Sequence, residues 1–214
     1  MNDQVQKNIS FLEQQNEEHL KIAEEMLRAK EGACFAMDLF AGAVLKRSMS
    51  IISGFVMLIK AKNYICAAPL VRLQLDNLLR FSAAYIVEDP DKLATDVLKG
   101  IPIERLKDKR NKKMRDGYLV EELKKKYSWI ERVYKNASGY IHFSEKHMSH
   151  LLSKDKSKEK NVVLISIGAE NDAKDFPLYE ATLAMINITD AVLRYIYGWV
   201  YKKKNANRRN KIPI

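Results

Sequence analysis

The sequence predicts an all-α fold: a bundle of five or six helices, with one small β-hairpin inserted between the last two long helices. Three observations predict it. Glycine and proline are scarce, eight and five in 214 residues, too few for the many tight turns of an all-β fold. Hydrophobic residues make up 47 % of the chain, enough to fill a core rather than leave the chain disordered. Apolar positions recur at helical spacing over long stretches. No internal repeat or dividing linker is visible. Residues 1–203 read as one domain and 204–214 as a basic, flexible tail.

The elements follow in order. Val5, Ile9, Leu12, Asn16, His19, Ala23 and Met26 alternate spacings of four and three, so 3–30 is a helix. Ser10 and Glu13 have capping-box spacing, but the stripe runs through them, which puts the cap at Asn2 or Asp3. Gly32 breaks the chain. Residues 33–61 are apolar nearly all round, as a central helix is. A third helix runs over 64–87, with Pro69 in its first turn or kinking it. Asp89 caps a short helix, Pro90 opens it and Gly100 follows its end. Residues 102–115 read as a polar helix. Residues 116–138 form the next, capped by Asp116 and ended by Gly139. "HMSHLL" and "NVVLISIG" flank a charged stretch and read as a strand pair. Pro177 opens a last helix over 177–203.

The opening residues have neither a basic n-region nor an apolar h-region, so no secretory signal is expected. The uncharged run "SMSIISGFVMLI" is shorter than the roughly 20 residues that span a bilayer. The expectation is a cytoplasmic protein with no membrane partner. Cys34 and Cys66 sit in apolar stretches outside any C-x-x-C pair, which predicts two buried thiols in a reducing compartment.

The formal charge is +10, and two segments carry all of it. "KDKRNKKMR" (107–115) and "KKKNANRRNK" (202–211) each hold six bases, and the remainder is close to neutral. Lys109, Arg110, Lys112, Lys113 and Arg115 make the first a nucleic-acid contact surface. The plainer reading of both is a solvated loop and a frayed tail.

Phosphate-loop, dinucleotide, zinc-protease and esterase-elbow motifs are all absent. The third helix holds something else. Arg72, Asp76 and Arg80 are four residues apart on one face, among apolar neighbours. They read as a polar seam in which the carboxylate pairs with both guanidinium groups. The seam either fixes helix register or forms a cationic pocket for phosphate.

A second polar group lies in "YKNASGYIHFS" (134–144). Seven residues turn a helix by about 700°, close to two full turns. Lys135 and His142 therefore share a face if the helix passes Gly139, with Ser138 between them and Tyr134 beside them. If the helix stops, His142 begins a loop. Histidine moves protons near neutral pH, and a neighbouring cation stabilises charge on a phosphorane-like transition state. The plainer role for His142 is to close a helix end. Trp129, Tyr134, Tyr140 and Phe143 are available to stack on bases, though core packing is their commoner use. His142, His147 and His150 with Glu145 and Asp76 match no metal-ligand spacing, and interleaved lysines oppose a cation. No cofactor is expected.

"YKNASGYIHFS", following a helical half with "RLQLDNLLR", resembles the HEPN superfamily of bacterial helical proteins over about residues 35–200. It also resembles a bacterial family with an arginine-plus-acid helix followed by Y-x-x-x-S-x-x-x-H. The resemblance implies an all-helical homodimer acting as a metal-independent ribonuclease of a toxin or phage-defence system. It implies an antitoxin or defence-complex partner too. Lys135 takes the place of the family's arginine, Asn136 that of its polar residue, and His142 that of its histidine. Lysine lacks arginine's bidentate fork. Either Lys135 substitutes, or Arg72 or Arg80 supplies the guanidinium, or the site is inactive. The rival expectation is a non-catalytic helical interaction module with a structural seam.

Overall fold

The computed structural model describes residues 1–153, 164–165, 167–168 and 173–205. The fold is all-α. Its helices are α1 (Asp3–Arg28), α2 (Ala36–Lys60), α3 (Tyr64–Ser82), α4 (Pro90–Leu98), α5 (Asp116–Lys124), α6 (Ile130–Ser138), α7 (Glu145–Leu151) and α8 (Asp175–Asn205).

Local chemistry sets the boundaries. Asn2 caps α1 by accepting the Val5 N–H at 3.0 Å, which satisfies one of the free donors of the first turn. Lys30, Glu31 and Gly32 all take positive φ, and this left-handed run turns the chain into α2. The Asp38 carboxylate accepts the Phe35 N–H at 2.8 Å where α2 begins. Asn63 caps α3 through the Cys66 N–H. Pro69 lies inside α3, in its second turn rather than its first. Asp89 caps α4 and Gly100 leaves it at φ 85°.

Helix α2 is the centre of the bundle and packs on α1, α3, α4 and α8. It is also the one helix among the described residues long and apolar enough to cross a membrane by length and composition. In the bundle, Phe55 and Ile59 meet no solvent and Ile52 almost none. Helix α8 closes the structure against α1 and α3, burying Ile188, Val192 and Ile196.

Several expectations are corrected. Residues 116–138 form two helices, because Lys124–Lys126 offer no apolar face and Tyr127 and Trp129 fold back together, ring centroids 5.6 Å apart. Residues 102–115 form a 3-10 turn (Ile103–Arg105) and then a tight loop. "HMSHLL" is mostly helix α7. Ser144 starts it in capping-box fashion: its Oγ accepts the Lys146 N–H, and its own N–H donates to His147 Nδ1. A two-residue antiparallel pairing follows, β1 (Leu152–Ser153) with β2 (Leu164–Ile165). The rest of the expected hairpin lies outside the described residues.

The chain is still helical at position 204, where the tail was expected to begin. Helix α8 runs to Asn205, and Lys203 is among the most buried side chains. Its Nζ donates to Asp38 Oδ2 at 2.8 Å and to the Met26 carbonyl at 2.7 Å. Trp199 Nε1 donates to Asp38 Oδ1. One ion pair thus ties the end of α1, the start of α2 and the end of α8. Residues 206–214 lie outside the described residues. Cys66 is exposed and Cys34 only partly buried, both free. The expectation of two buried thiols therefore fails.

Candidate nucleic-acid interface

The seam on α3 forms with different partners from those expected. Asp76 pairs with Arg80 at 3.0 Å, but its other oxygen pairs with Arg47 of α2, also at 3.0 Å. Arg72 pairs with Asp116 at 2.5 Å, and Asp116 also takes Arg80. The expected helix cap at Asp116 is therefore absent, because the carboxylate is spent on two guanidinium groups. Arg72 also lies over the Tyr134 ring, 4.9 Å from its centroid. The seam carries three cations against two carboxylates. Arg80 Nη1 is buried without a hydrogen-bond partner.

Asp116 is the first helical residue after the basic segment, so the seam anchors the segment's exit. The segment itself is an ordered turn. Lys107 and Lys113 form an antiparallel bridge. Buried Asp108 accepts the Arg110 N–H at 2.9 Å, the Lys112 N–H at 2.8 Å and the Tyr118 hydroxyl at 2.6 Å. Such short-range bonds compete with helix, which is why the polar helix expected here does not form. Burial pushes the Asp108 carboxyl up, but the bonds from Tyr118, Lys112 and Arg110 outweigh it and hold the pKa at about 2. Arg110 turns inward to Asp108 and Glu122. Lys107, Lys109, Lys112, Lys113 and Arg115 stay exposed on the turn.

The residues of "YKNASGYIHFS" do not assemble as the helical-face reading expected. Helix α6 ends at Ser138 with Gly139 as its cap, so Lys135 and His142 do not share a helix face. Lys135 is exposed and bonded to Glu131 at 2.8 Å. Hydrogen bonds from Lys124 and Lys135 hold the Glu131 pKa at about 2. Ser138 is partly buried at the helix end. His142 and Phe143 are exposed on the link to α7. Among the described residues, no hydrogen bond or ion pair joins His142 to Arg72, Asp76 or Arg80. His147 is occupied as the cap partner of Ser144 and stacks on Phe143, 5.4 Å between centroids. Among the described residues, no group of three or more His, Cys, Asp or Glu is placed to hold a metal.

Asn136, on the same helix as Tyr134, faces a different place. It lines a cleft of about 320 Å³ between α3, α6, α7 and the start of α8. Trp129, Tyr140 and Tyr64 supply its aromatic walls, and Arg132 and Lys146 its cations. Tyr64 and Tyr140 meet edge to face at 5.4 Å. Lys146 lies over the Tyr140 ring at 5.0 Å. Gly139 makes room for it, since a Cβ there would sit 2.8 Å from the Lys146 side chain.

The sequence reading missed a buried hydrogen-bond chain across four helices. Arg47 donates to Asn77 Oδ1, and Asn77 Nδ2 to Gln74 Oε1. Gln74 Nε2 donates to Ser48 at 2.7 Å and to Thr189 at 3.0 Å. Ser48 meets His19 Nε2 at 2.8 Å, and His19 Nδ1 meets the Gln15 carbonyl at 2.7 Å. A carbonyl only accepts, so Nδ1 holds the proton and Nε2 accepts from Ser48. Burial lowers the His19 pKa against the opposing pull of the Gln15 carbonyl and Glu18, in keeping with a neutral ring. One clue was legible: His19, an ionisable residue, sits within the apolar stripe of α1.

No protein-family model, no curated protein and no solved structure matches this chain.

Proposed function

We propose that this chain is a HEPN-like helical effector that binds single-stranded RNA, working as a cytoplasmic homodimer in a bacterial toxin or defence system, without a metal or membrane. The observation that supports it is the ordered turn at 107–115. A buried aspartate and a backbone bridge hold five exposed cations in a fixed arrangement, so little entropy is lost when they meet a phosphate backbone. The catalytic form of the proposal makes His142 the base. It takes the proton of a 2′-hydroxyl, the oxygen attacks phosphorus, and the 5′-oxygen leaves with a proton from solvent. A 2′,3′-cyclic phosphate and a 5′-hydroxyl result.

The test is RNA binding and cleavage in excess chelator. Wild type is expected to bind at low salt and to cut RNA but not matching DNA, which lacks the attacking hydroxyl. His142→Ala is expected to stop cutting and leave the melting temperature in place. Lys109→Glu with Lys113→Glu is expected to weaken binding at least tenfold. No binding at low salt overturns the reading.

One observation favours a second reading. Arg72, Arg80 and Lys135 are all paired with carboxylates, which suits a non-catalytic interaction module with a structural seam. Strong RNA binding with no cleavage by wild type, and no effect of Lys135→Arg, would select binding without catalysis.

A further inference from the structure

The cleft between α3, α6, α7 and α8 has the composition of a ligand site that neither the seam nor the basic turn uses. Its volume of about 320 Å³ sits at the small end of ligand pockets, which run from roughly 300 to 1,000 Å³. That suits one small molecule or one residue of a polymer and excludes a duplex. Glu180 and aliphatic residues such as Val71 and Leu183 also line it, and the rest of the lining is of three chemical kinds. Trp129 and Tyr140 offer aromatic surface. Asn136 and Asn187 offer amides that both donate and accept. Arg132 and Lys146 offer positive charge.

Lys146 lies over the Tyr140 ring, and the other cationic and amide groups are uncommitted. Among the described residues, the side chains of Arg132, Asn136 and Asn187 have no hydrogen-bond or ion-pair partner. Five arginines of the bundle are engaged by contrast: Arg47, Arg72, Arg80, Arg110 and Arg194 each face a carboxylate. A simple anion needs no ring or amide. A lipid tail needs neither amide nor charge. A nucleotide uses all three: a flat base for the rings, mixed donors and acceptors along its edge for the amides, and a phosphate for the cations.

We propose that this cleft binds one nucleotide, its base against Trp129 and Tyr140, its edge read by Asn136 and Asn187, and its phosphate held by Arg132 and Lys146. The proposal deepens the RNA reading and rests on it for the source of the nucleotide, a base flipped from a single strand. The same chemistry fits a free nucleoside monophosphate.

The experiment uses the full chain and follows tryptophan fluorescence. The probes are the four nucleoside monophosphates, inorganic phosphate and a twelve-nucleotide single-stranded RNA. At least one monophosphate is expected to quench saturably, and Trp129→Phe is expected to abolish the signal, Trp199 being half-buried and held by Asp38 away from the cleft lining. Asn136→Ala is expected to weaken that nucleotide at least threefold, and Arg132→Glu with Lys146→Glu at least tenfold. Melting temperatures check that the variants fold. Preference for the oligonucleotide over every monophosphate assigns the source to a strand, and the reverse assigns it to free nucleotide. Quenching by inorganic phosphate alone, or no effect of the three substitutions, overturns the cleft site even if RNA still binds. A cleft-dependent monophosphate signal with no RNA binding at low salt keeps the site and removes the RNA reading.

Discussion

The seam and the cleft both draw on α3 and α6, the seam adding α2 and α5 and the cleft α7 and α8, and they treat charge in opposite ways. In the seam, Arg72 and Arg80 close on Asp116, Arg80 and Arg47 close on Asp76, and Tyr134 covers Arg72. In the cleft, a short distance along α6, Arg132 and Asn136 project with no protein partner among the described residues. Cations that already have carboxylates hold helices in register. Cations without them are free for a ligand. The residues with the strongest sequence signal are therefore the ones least available for chemistry.

That contrast is breakable by mutation. The largest effect is expected where commitment is complete. Asp38→Ala leaves Lys203 charged and enclosed, which costs about 4 kcal/mol of unfolding free energy, measured by urea denaturation. Asp116→Ala strips two partly buried guanidinium groups of their shared partner and costs about 2 kcal/mol, less because water reaches the seam. Arg132→Ala in the cleft and Lys135→Ala on the surface are expected to stay within about 0.5 kcal/mol of wild type. Equal losses in seam and cleft would erase the distinction.

Acidity sharpens it further. Burial depresses the His19 pKa below its ordinary value of 6.5, so the unfolded chain takes up a proton before the folded one. Stability is then full above about pH 6.5 and falls as the pH drops through the window between the unfolded and folded pKa values. His19→Gln is expected to flatten that slope in thermal melts from pH 7 to 5. A slope that survives the substitution would assign it to another group. Asp108, held at about 2, adds a separate loss below about pH 4, where its unfolded carboxylate protonates first.

The legible parts of the fold were those set by local chemistry. The caps at Asn2 and Asp89, the stop at Gly100 and the apolar body of α2 all follow from residues within a turn of one another. The missed parts depend on distant partners. Nothing near Lys203 in sequence reveals that Asp38 awaits it, so a buried anchor reads only as part of the basic run 202–211. Asp116 looked like a helix cap because its true partners, Arg72 and Arg80, lie on another helix. Asp108 was one acid among six bases, yet it organises the loop that presents them. At the candidate site, the sequence singled out Asn136 and Tyr140 within one motif. It also grouped Trp129 with Tyr140 as rings available to stack on bases, but gave no sign that Arg132 and Asn187 join them, because Asn187 lies on α8, distant in sequence.

The most direct measurement is a salt titration of single-stranded RNA binding by fluorescence anisotropy, in chelator. If Lys107, Lys109, Lys112, Lys113 and Arg115 each meet a phosphate, the logarithm of the binding constant falls with the logarithm of salt at a slope of about −3.5. Lys109→Glu with Lys113→Glu is expected to reduce both the affinity and the slope. A flat titration, or one that the double substitution leaves unaltered, would contradict the account and leave the turn as a solvated loop.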